Sequence, residues 1–140
     1  MKLSVIIAAF NAAGTIDQQL ESLATQRWSE PWEVIVVNNR STDNTVEIVN
    51  GFRGRIPNLR VVDAPERPGG AYAINIGGRA ARGETLVFCD ADDIVCDGWI
   101  AAMGGALARH EFVSGPFETK RLNRSELTKH RRNPQPSGIQ

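Results

Sequence analysis

Three aspartates fall within four consecutive positions, Asp90-Ala91-Asp92-Asp93, directly behind the apolar run Leu86-Val87-Phe88-Cys89. Carboxylates so closely spaced repel one another, and each titrates abnormally unless a cation joins them. A hard divalent ion with oxygen ligands, Mg²⁺ or Mn²⁺, suits such a set, above all when phosphate oxygens complete its shell. The same residues would also serve as an acidic turn capping the helix that follows, because carboxylates favour helix N-termini. An Asp-x-Asp pattern is short and common by chance, so both readings stand at this point. Two other polar segments share the position of the acidic turn at the end of an apolar run. They are Phe10-Asn11 and Asn38-Asn39-Arg40-Ser41, the latter followed by Thr42 and Asp43.

The elements that must hold these segments follow from hydrophobic patterning. Leu3 to Ala9 and Trp32 to Val37 are nearly continuous apolar runs, as expected of parallel strands buried on both faces. Residues 59–63 and 85–89 give a third and a fourth strand, and 112–117 a fifth, edge strand interrupted by Pro116. Between the first two strands, Thr15-Ile16-Asp17-Gln18 has capping-box spacing, and Ile16, Leu20, Leu23 and Ala24 continue at helical spacing. A second helix is expected behind Ser41, Thr42 and Asp43, with Val46, Val49 and Phe52 as its apolar stripe, and Asp43 is read first as its cap. A third runs along Ala71, Ile74, Gly78 and Ala81, and a further one carries Trp99, Ile100, Met103 and Leu107. Strands alternating with helices predict an α/β fold built on a doubly wound, mostly parallel sheet. In such sheets ligands lie beyond the carboxyl ends of the strands, where all three polar segments fall.

At 140 residues, with sixteen basic and sixteen acidic side chains and 41% hydrophobic residues, the chain has the composition of a folded domain. That balance excludes a disordered polyelectrolyte and a wholly basic nucleic-acid coat. Charge is nevertheless split: residues 1–118 carry a net of −5, and residues 119–140 a net of +5. We therefore expect an ordered body over 1–118 and a basic, weakly ordered tail over 119–140. Aromatic residues are absent from the basic stretch 120–132, so no nucleic-acid partner is expected. No apolar run approaches the roughly 18 residues of a membrane span, and Cys89 and Cys96 cannot make a disulfide framework. A reduced, cytoplasmic setting is the expectation. With His110 as the nearest histidine, the two cysteines do not suggest a zinc site, and the glycines at 69, 70, 77 and 78 form neither a G-x-G-x-x-G motif nor a P-loop.

Three ordered segments resemble the signatures of the family 2 glycosyltransferases. Ser4-Val5-Ile6-Ile7-Ala8-Ala9-Phe10-Asn11 resembles the opening strand and loop, and 36–45 (Val-Val-Asn-Asn-Arg-Ser-Thr-Asp-Asn-Thr) resembles the second signature. Asn75-Ile76-Gly77 through Ala81-Arg82-Gly83-Glu84 to Asp93 resembles the third. The resemblance implies the nucleotide-binding half of a GT-A fold, a Rossmann-like α/β sheet that binds a nucleotide-diphospho-sugar. Such enzymes pass the sugar to the hydroxyl of a glycan or lipid-linked acceptor with inversion, often in cell-envelope polysaccharide synthesis. Carried over by position, Ala8, Phe10, Asn11, Asn39, Asp43, Asn75, Asp90, Ala91 and Asp92 would contact the donor, and Asp90, Asp92 and Asp93 the metal. Phe10 either offers its ring to the base or ends a buried strand. Ala8 stands where Pro is common, Asn38-Asn39 where acids are, and Ile74 where many members place an Arg; Arg67 or Arg79 are the candidates to replace that cation. Arg40 is expected to face solvent.

The resemblance also implies a second acidic motif, often Glu-Asp, whose carboxylate is the general base. Glu111, Glu118 and Glu126 are isolated, so the expectation is a chain that stops before the catalytic base and is inactive alone. Full-length members would lie at the inner face of the membrane. The rival expectation, from another functional class, is a non-catalytic nucleotide-sugar-binding module completed by a partner chain.

Overall fold

The computed structural model describes residues 1–109. Four parallel strands, β1 (Leu3–Ala9), β2 (Trp32–Asn38), β3 (Leu59–Asp63) and β4 (Thr85–Asp90), form one sheet in the order β3-β2-β1-β4. Helices α1 (Ile16–Ala24), α2 (Thr45–Asn50) and α3 (Gly70–Ala80) connect them, and α4 (Trp99–Leu107) follows β4. Right-handed crossovers put α1 and α2 on one face and send α3 back across the other, because the strand order reverses only on the way to β4. The reversal point lies between β1 and β4, so the crevice at their carboxyl ends is where a ligand would sit in a doubly wound sheet. A compact unit spans Met1–Ala101; of a second, Ala102–Gln140, the rest of α4 and the turn to Arg109 are described. The expected strand at 112–117, His110 and the boundary at 118/119 lie outside the described residues. No described helix is long and apolar enough to cross a membrane.

The continuous apolar runs behave as expected. Every residue of β1 except Ala8 is buried, and β2 is buried from Trp32 to Val37. Each fully buried Val, Leu or Ile contributes about 1.5–3 kcal/mol relative to exposure, so these two strands carry most of the core. On the α3 face, Ile6, Ile35 and Val37 pack with Ala64 and Ala73. Gly77 is required here: a Cβ at this position would stand 2.6 Å from Ile6 Cγ2 and 2.8 Å from Val37 Cγ2. β4 is an edge strand among the described residues, with Phe88 50% exposed and Leu86 37% exposed.

A buried polar cluster fastens the amino ends of the strands. Glu33, 0% exposed, accepts hydrogen bonds from Ser4 Oγ at 2.6 Å, the Arg82 backbone N–H at 2.7 Å and Arg60 Nε at 3.3 Å. Ser4 Oγ accepts from the Gly83 N–H, and the Arg60 guanidinium also donates to the Ala80 carbonyl. Burial pushes the Glu33 carboxyl up, but the bonds from Ser4, Arg82 and Arg60, with the Arg60 charge, outweigh it and hold the group below the usual carboxylate range.

Two local expectations are corrected. Thr15 occupies the N-cap of α1 but makes no side-chain cap bond; its hydroxyl donates to the Ala12 carbonyl, which already receives the Thr15 and Ile16 N–H groups. The tight turn at Ala12 has displaced the capping box. The inner face of α3 is Ala73 and Gly77, one residue round from the Ala71-Ile74-Gly78 line, because only small side chains let the helix approach the sheet this closely.

Candidate functional site

The carboxyl ends of β1, β2 and β4 meet in register, with Ala8 opposite Asp90 and Ala9 opposite Asn38. The loop after β1 is tied to the loop after β2 by a set of hydrogen bonds. Asn11, in the left-handed region at φ +46°, which Asn tolerates, turns Oδ1 onto the Thr42 N–H at 2.7 Å and the Asp43 N–H at 3.3 Å. Its own N–H donates to Ser41 Oγ, and the Ala12 N–H donates to Thr45 Oγ1. Asp43 Oδ2 accepts from the Ala13 N–H, and its Oδ1 accepts from the N–H and hydroxyl of Thr45. The hydroxyl of Thr45 is the main cause holding the Asp43 carboxyl below its usual range, and the Ala13 and Thr45 N–H groups add to it. The N-cap of α2 is Asn44, which makes no side-chain cap bond, so the cap expected at Asp43 is not formed; Asp43 sits one residue earlier, bonds Thr45 and joins the two loops.

Phe10 projects from the end of β1 and is 63% exposed, which rules out the buried strand-end role and leaves its ring open to solvent beside the crevice. Arg40 is exposed as expected, at φ +67°.

Asn39 is placed differently from the expectation. It is 5% exposed, and both Nδ2 protons are spent, on the Ala64 and Arg67 carbonyls at 2.8 Å each. Its Oδ1 accepts from the Gly69 N–H at 2.9 Å. The side chain therefore holds the 64–69 loop rather than pointing into the crevice to read a base. An Asp could not make the two donations, which gives a physical reason for the amide where the family pattern often has an acid. Its neighbour Asn38 donates to Asp63 Oδ1 and accepts from the Ser41 N–H.

Asn75 lines a groove of about 420 Å³ along α3 with Arg67, Tyr72 and Arg79. The Arg67 guanidinium stacks over Tyr72 at 5.0 Å.

The acidic turn is compact. One carboxylate oxygen from each of Asp90, Asp92 and Asp93 lies within 4.8 Å of the others. The turn is closed by reciprocal bonds: the Asp90 N–H donates to Asp93 Oδ2 at 3.0 Å, and the Asp93 N–H to the Asp90 carbonyl at 3.1 Å. Three hard oxygen donors at this spacing fit a Mg²⁺ or Mn²⁺ ion and offer nothing to a soft metal. Burial, then the charges of Asp93 and Asp90, push the adjacent Cys89 thiol up to about 12.

Sequence patterning missed what holds this turn. Gln19 and Ser22 on α1, and Gln26 just past its C-cap Thr25, follow one another at i, i+3 and i+7, and all three bond the segment from Asp90 to Ile100. Gln19 Nε2 donates to the Asp90 carbonyl at 3.0 Å; Ser22 Oγ accepts from the Val95 N–H at 3.1 Å. Gln26 donates to the Cys96 carbonyl at 2.9 Å and accepts from the Ile100 N–H at 3.0 Å. The available signal was a polar run at i, i+3 and i+7 beside an apolar stripe, which reads as a solvent face until the loop is seen to cover it.

A parallel α/β sheet with an acidic turn at its topological switch point is the layout of the nucleotide-binding half of GT-A enzymes. The chain belongs to the family described as Glycosyl transferase family 2, whose sequence model matches residues 4–139. It is 40% identical over 94 residues to the uncharacterized glycosyltransferase YibD of Escherichia coli K12, covering 67% of this chain and 27% of YibD. Among solved structures, Staphylococcus aureus TarS 1-349 in complex with UDP superimposes with a TM-score of 0.72 at 33% identity, over 79% of this chain and 33% of that one. Glucosyl-3-phosphoglycerate synthase from Mycobacterium tuberculosis, crystallised with Mn²⁺, UDP and glucosyl-3-phosphoglycerate, gives 0.65 at 27% identity, over 81% of this chain and 42% of that one. The chain therefore spans less than half the length of these relatives.

Proposed function

We propose that this chain carries the donor-binding half of a glycosyltransferase, which takes a nucleotide-diphospho-sugar and serves transfer to the hydroxyl of a glycan or lipid-linked acceptor with inversion. The observation that carries the reading is the cluster of three carboxylates at the β1/β4 switch point of a family 2 fold. Asp90, Asp92 and Asp93 would hold Mg²⁺ or Mn²⁺, and the ion, when bound, would stabilise the charge of the departing diphosphate without proton transfer. Ala8, which has no side chain beyond Cβ, leaves room beside Asp90 at the end of β1. Phe10 supplies an exposed ring for a base to stack on, and Asn11 fixes the loop that presents it. Asn39 and Asp43 act by holding the loops around the crevice. UDP in the TarS complex and UDP with Mn²⁺ in the mycobacterial synthase support a uridine nucleotide as the first donor to test. TarS, named as a poly(ribitol-phosphate) β-N-acetylglucosaminyltransferase, supports a cell-envelope glycan as acceptor. No described residue is assigned as the general base, and we place that role in sequence outside residues 1–109.

Calorimetry with UDP, GDP and dTDP, each with and without Mn²⁺, tests the site. Mn²⁺-dependent binding of one nucleotide, lost in Asp90→Ala and Asp92→Ala, is expected. Binding indifferent to Mn²⁺ and to both substitutions would remove the assignment. A separate chain that co-purifies and restores transfer would favour the module completed by a partner.

A further inference from the structure

The acidic turn does not rest on its own residues alone. Its first carbonyl, Asp90 O, is gripped by Nε2 of Gln19, a side chain 0% exposed on α1 and seventy-one positions away in sequence. Gln19 is itself held: Ser22 Oγ donates to the Gln19 carbonyl at 2.7 Å and reaches Gln19 Oε1 at 3.3 Å. Ser22 Oγ in turn receives the Val95 N–H, on the far side of the turn. A buried primary amide is costly unless its donors and acceptor are used, so it stays where it can be satisfied and fixes its partner there. The Asp90 carbonyl accepts two bonds, from Gln19 and from the Asp93 N–H. Tilting that peptide unit would rotate Asp90 away from Asp92 and Asp93 together. Gln26, seven residues further along and beyond the end of α1, makes a pair of bonds of its own, but to Cys96 and Ile100, beyond the three aspartates.

We propose that Gln19 is a positioning residue for the divalent-cation site: through the Asp90 carbonyl it sets the orientation in which the three carboxylates converge, while Gln26 serves only the fold of the following segment. The inference rests on the reading of Asp90, Asp92 and Asp93 as metal ligands. Groups that orient metal ligands from behind typically change affinity by about 10- to 100-fold when removed. Gln19 acts on a ligand's backbone rather than on its carboxylate, so a change near the lower end, about 10-fold, is expected.

The test uses the 140-residue chain and titrates Mn²⁺ in the presence of UDP, reading free Mn²⁺ by electron paramagnetic resonance, with thermal unfolding measured alongside. Gln19→Met keeps length and packing while removing both amide functions; Gln26→Met is the matched control. Gln19→Met is expected to weaken Mn²⁺ about 10-fold, and Gln26→Met to leave it within about 2-fold while lowering the melting temperature comparably. Ser22→Ala, which frees the Gln19 amide without removing it, should give a smaller loss of roughly 2- to 5-fold and keeps the idea testable if Gln19→Met does not fold. Equal effects of Gln19→Met and Gln26→Met on Mn²⁺, or no effect of Gln19→Met and Ser22→Ala, would overturn the positioning role and leave the metal site standing. Failure of the unsubstituted chain to bind Mn²⁺ would overturn both.

Discussion

Two adjacent glycines in α3 should respond to the same substitution with opposite signs. In Gly77→Ala the new Cβ would lie 2.6 Å from Ile6 Cγ2 and 2.8 Å from Val37 Cγ2. Carbon atoms rest at about 3.5–4.0 Å, so each methyl overlaps by roughly 1 Å. Both neighbours are β-branched and 0% exposed, hence stiff and with nowhere to retreat, and α3 must lift from the sheet. Overpacking of this kind costs about 1–3 kcal/mol, and two simultaneous overlaps put it in the upper half. Replacing Gly by Ala in a helix returns about 1 kcal/mol, leaving a net loss of about 1–2 kcal/mol. At Gly78 the added Cβ would meet only Leu86 Cδ1, at an ordinary 3.8 Å, so the helix term stands alone. Gly78→Ala is expected to gain about 0.5–1 kcal/mol. Urea denaturation of the 140-residue chain separates the two, since slopes of about 1–3 kcal/mol/M convert these energies into a midpoint shift of roughly 0.3–2 M downward for Gly77→Ala and roughly 0.2–1 M upward for Gly78→Ala. A Gly77→Ala chain as stable as the unsubstituted one would refute the close approach of α3 to β1 and β2.

Other outcomes follow from the polar contacts. Arg60→Met leaves the Glu33 carboxylate buried without its cation and should cost about 2–3 kcal/mol by denaturant titration, below the about 3–5 kcal/mol of a fully enclosed pair because the Arg60 side chain is 25% exposed. Because the native Glu33 carboxyl titrates below its usual range, its contribution is complete above the ordinary carboxylate pKa and is lost as pH falls through the depressed value. Thermal melts from pH 6 downward should therefore fall less steeply for Glu33→Gln than for the unsubstituted chain, and parallel curves would count against the network. Asn39→Asp sets a carboxylate against the Ala64 and Arg67 carbonyls and should destabilise by about 2 kcal/mol or more, whereas a neutral outcome would show that the amide is not needed for the 64–69 loop.

The parts of the fold legible in the sequence were those decided by large apolar side chains. Leu3–Ala9 and Trp32–Val37 are buried on both faces because they are central strands, and their unbroken hydrophobicity says so. The acidic turn was legible for a different reason: three like charges after a strand demand an explanation whatever the fold. Where packing is set by small residues the pattern misled, as on the Ala73-Gly77 face of α3, since tight approach leaves no large hydrophobe to count. Polar residues with long-range partners were legible as chemistry but not as geometry. Asn39 was placed at the site by its position after β2, yet its three partners sit 25 to 30 residues on, in a loop whose path no local rule predicts. Gln19 and Gln26 were not singled out at all, because their partners lie 70 residues or more away.

The strand order carries a consequence for how the crevice comes into being. β1 is the first strand of the described chain, yet its second neighbour is the last, with Leu3 paired to Thr85. During synthesis β1 can zip to β2, and β2 to β3, while the other flank of β1 waits for residues 85–90, and closing so long a loop is slow as well as entropically costly. If the acidic turn holds a cation as proposed, that affinity should emerge late in folding, after most secondary structure has formed, which would make Mn²⁺ a kinetic probe of the final docking event rather than of early collapse.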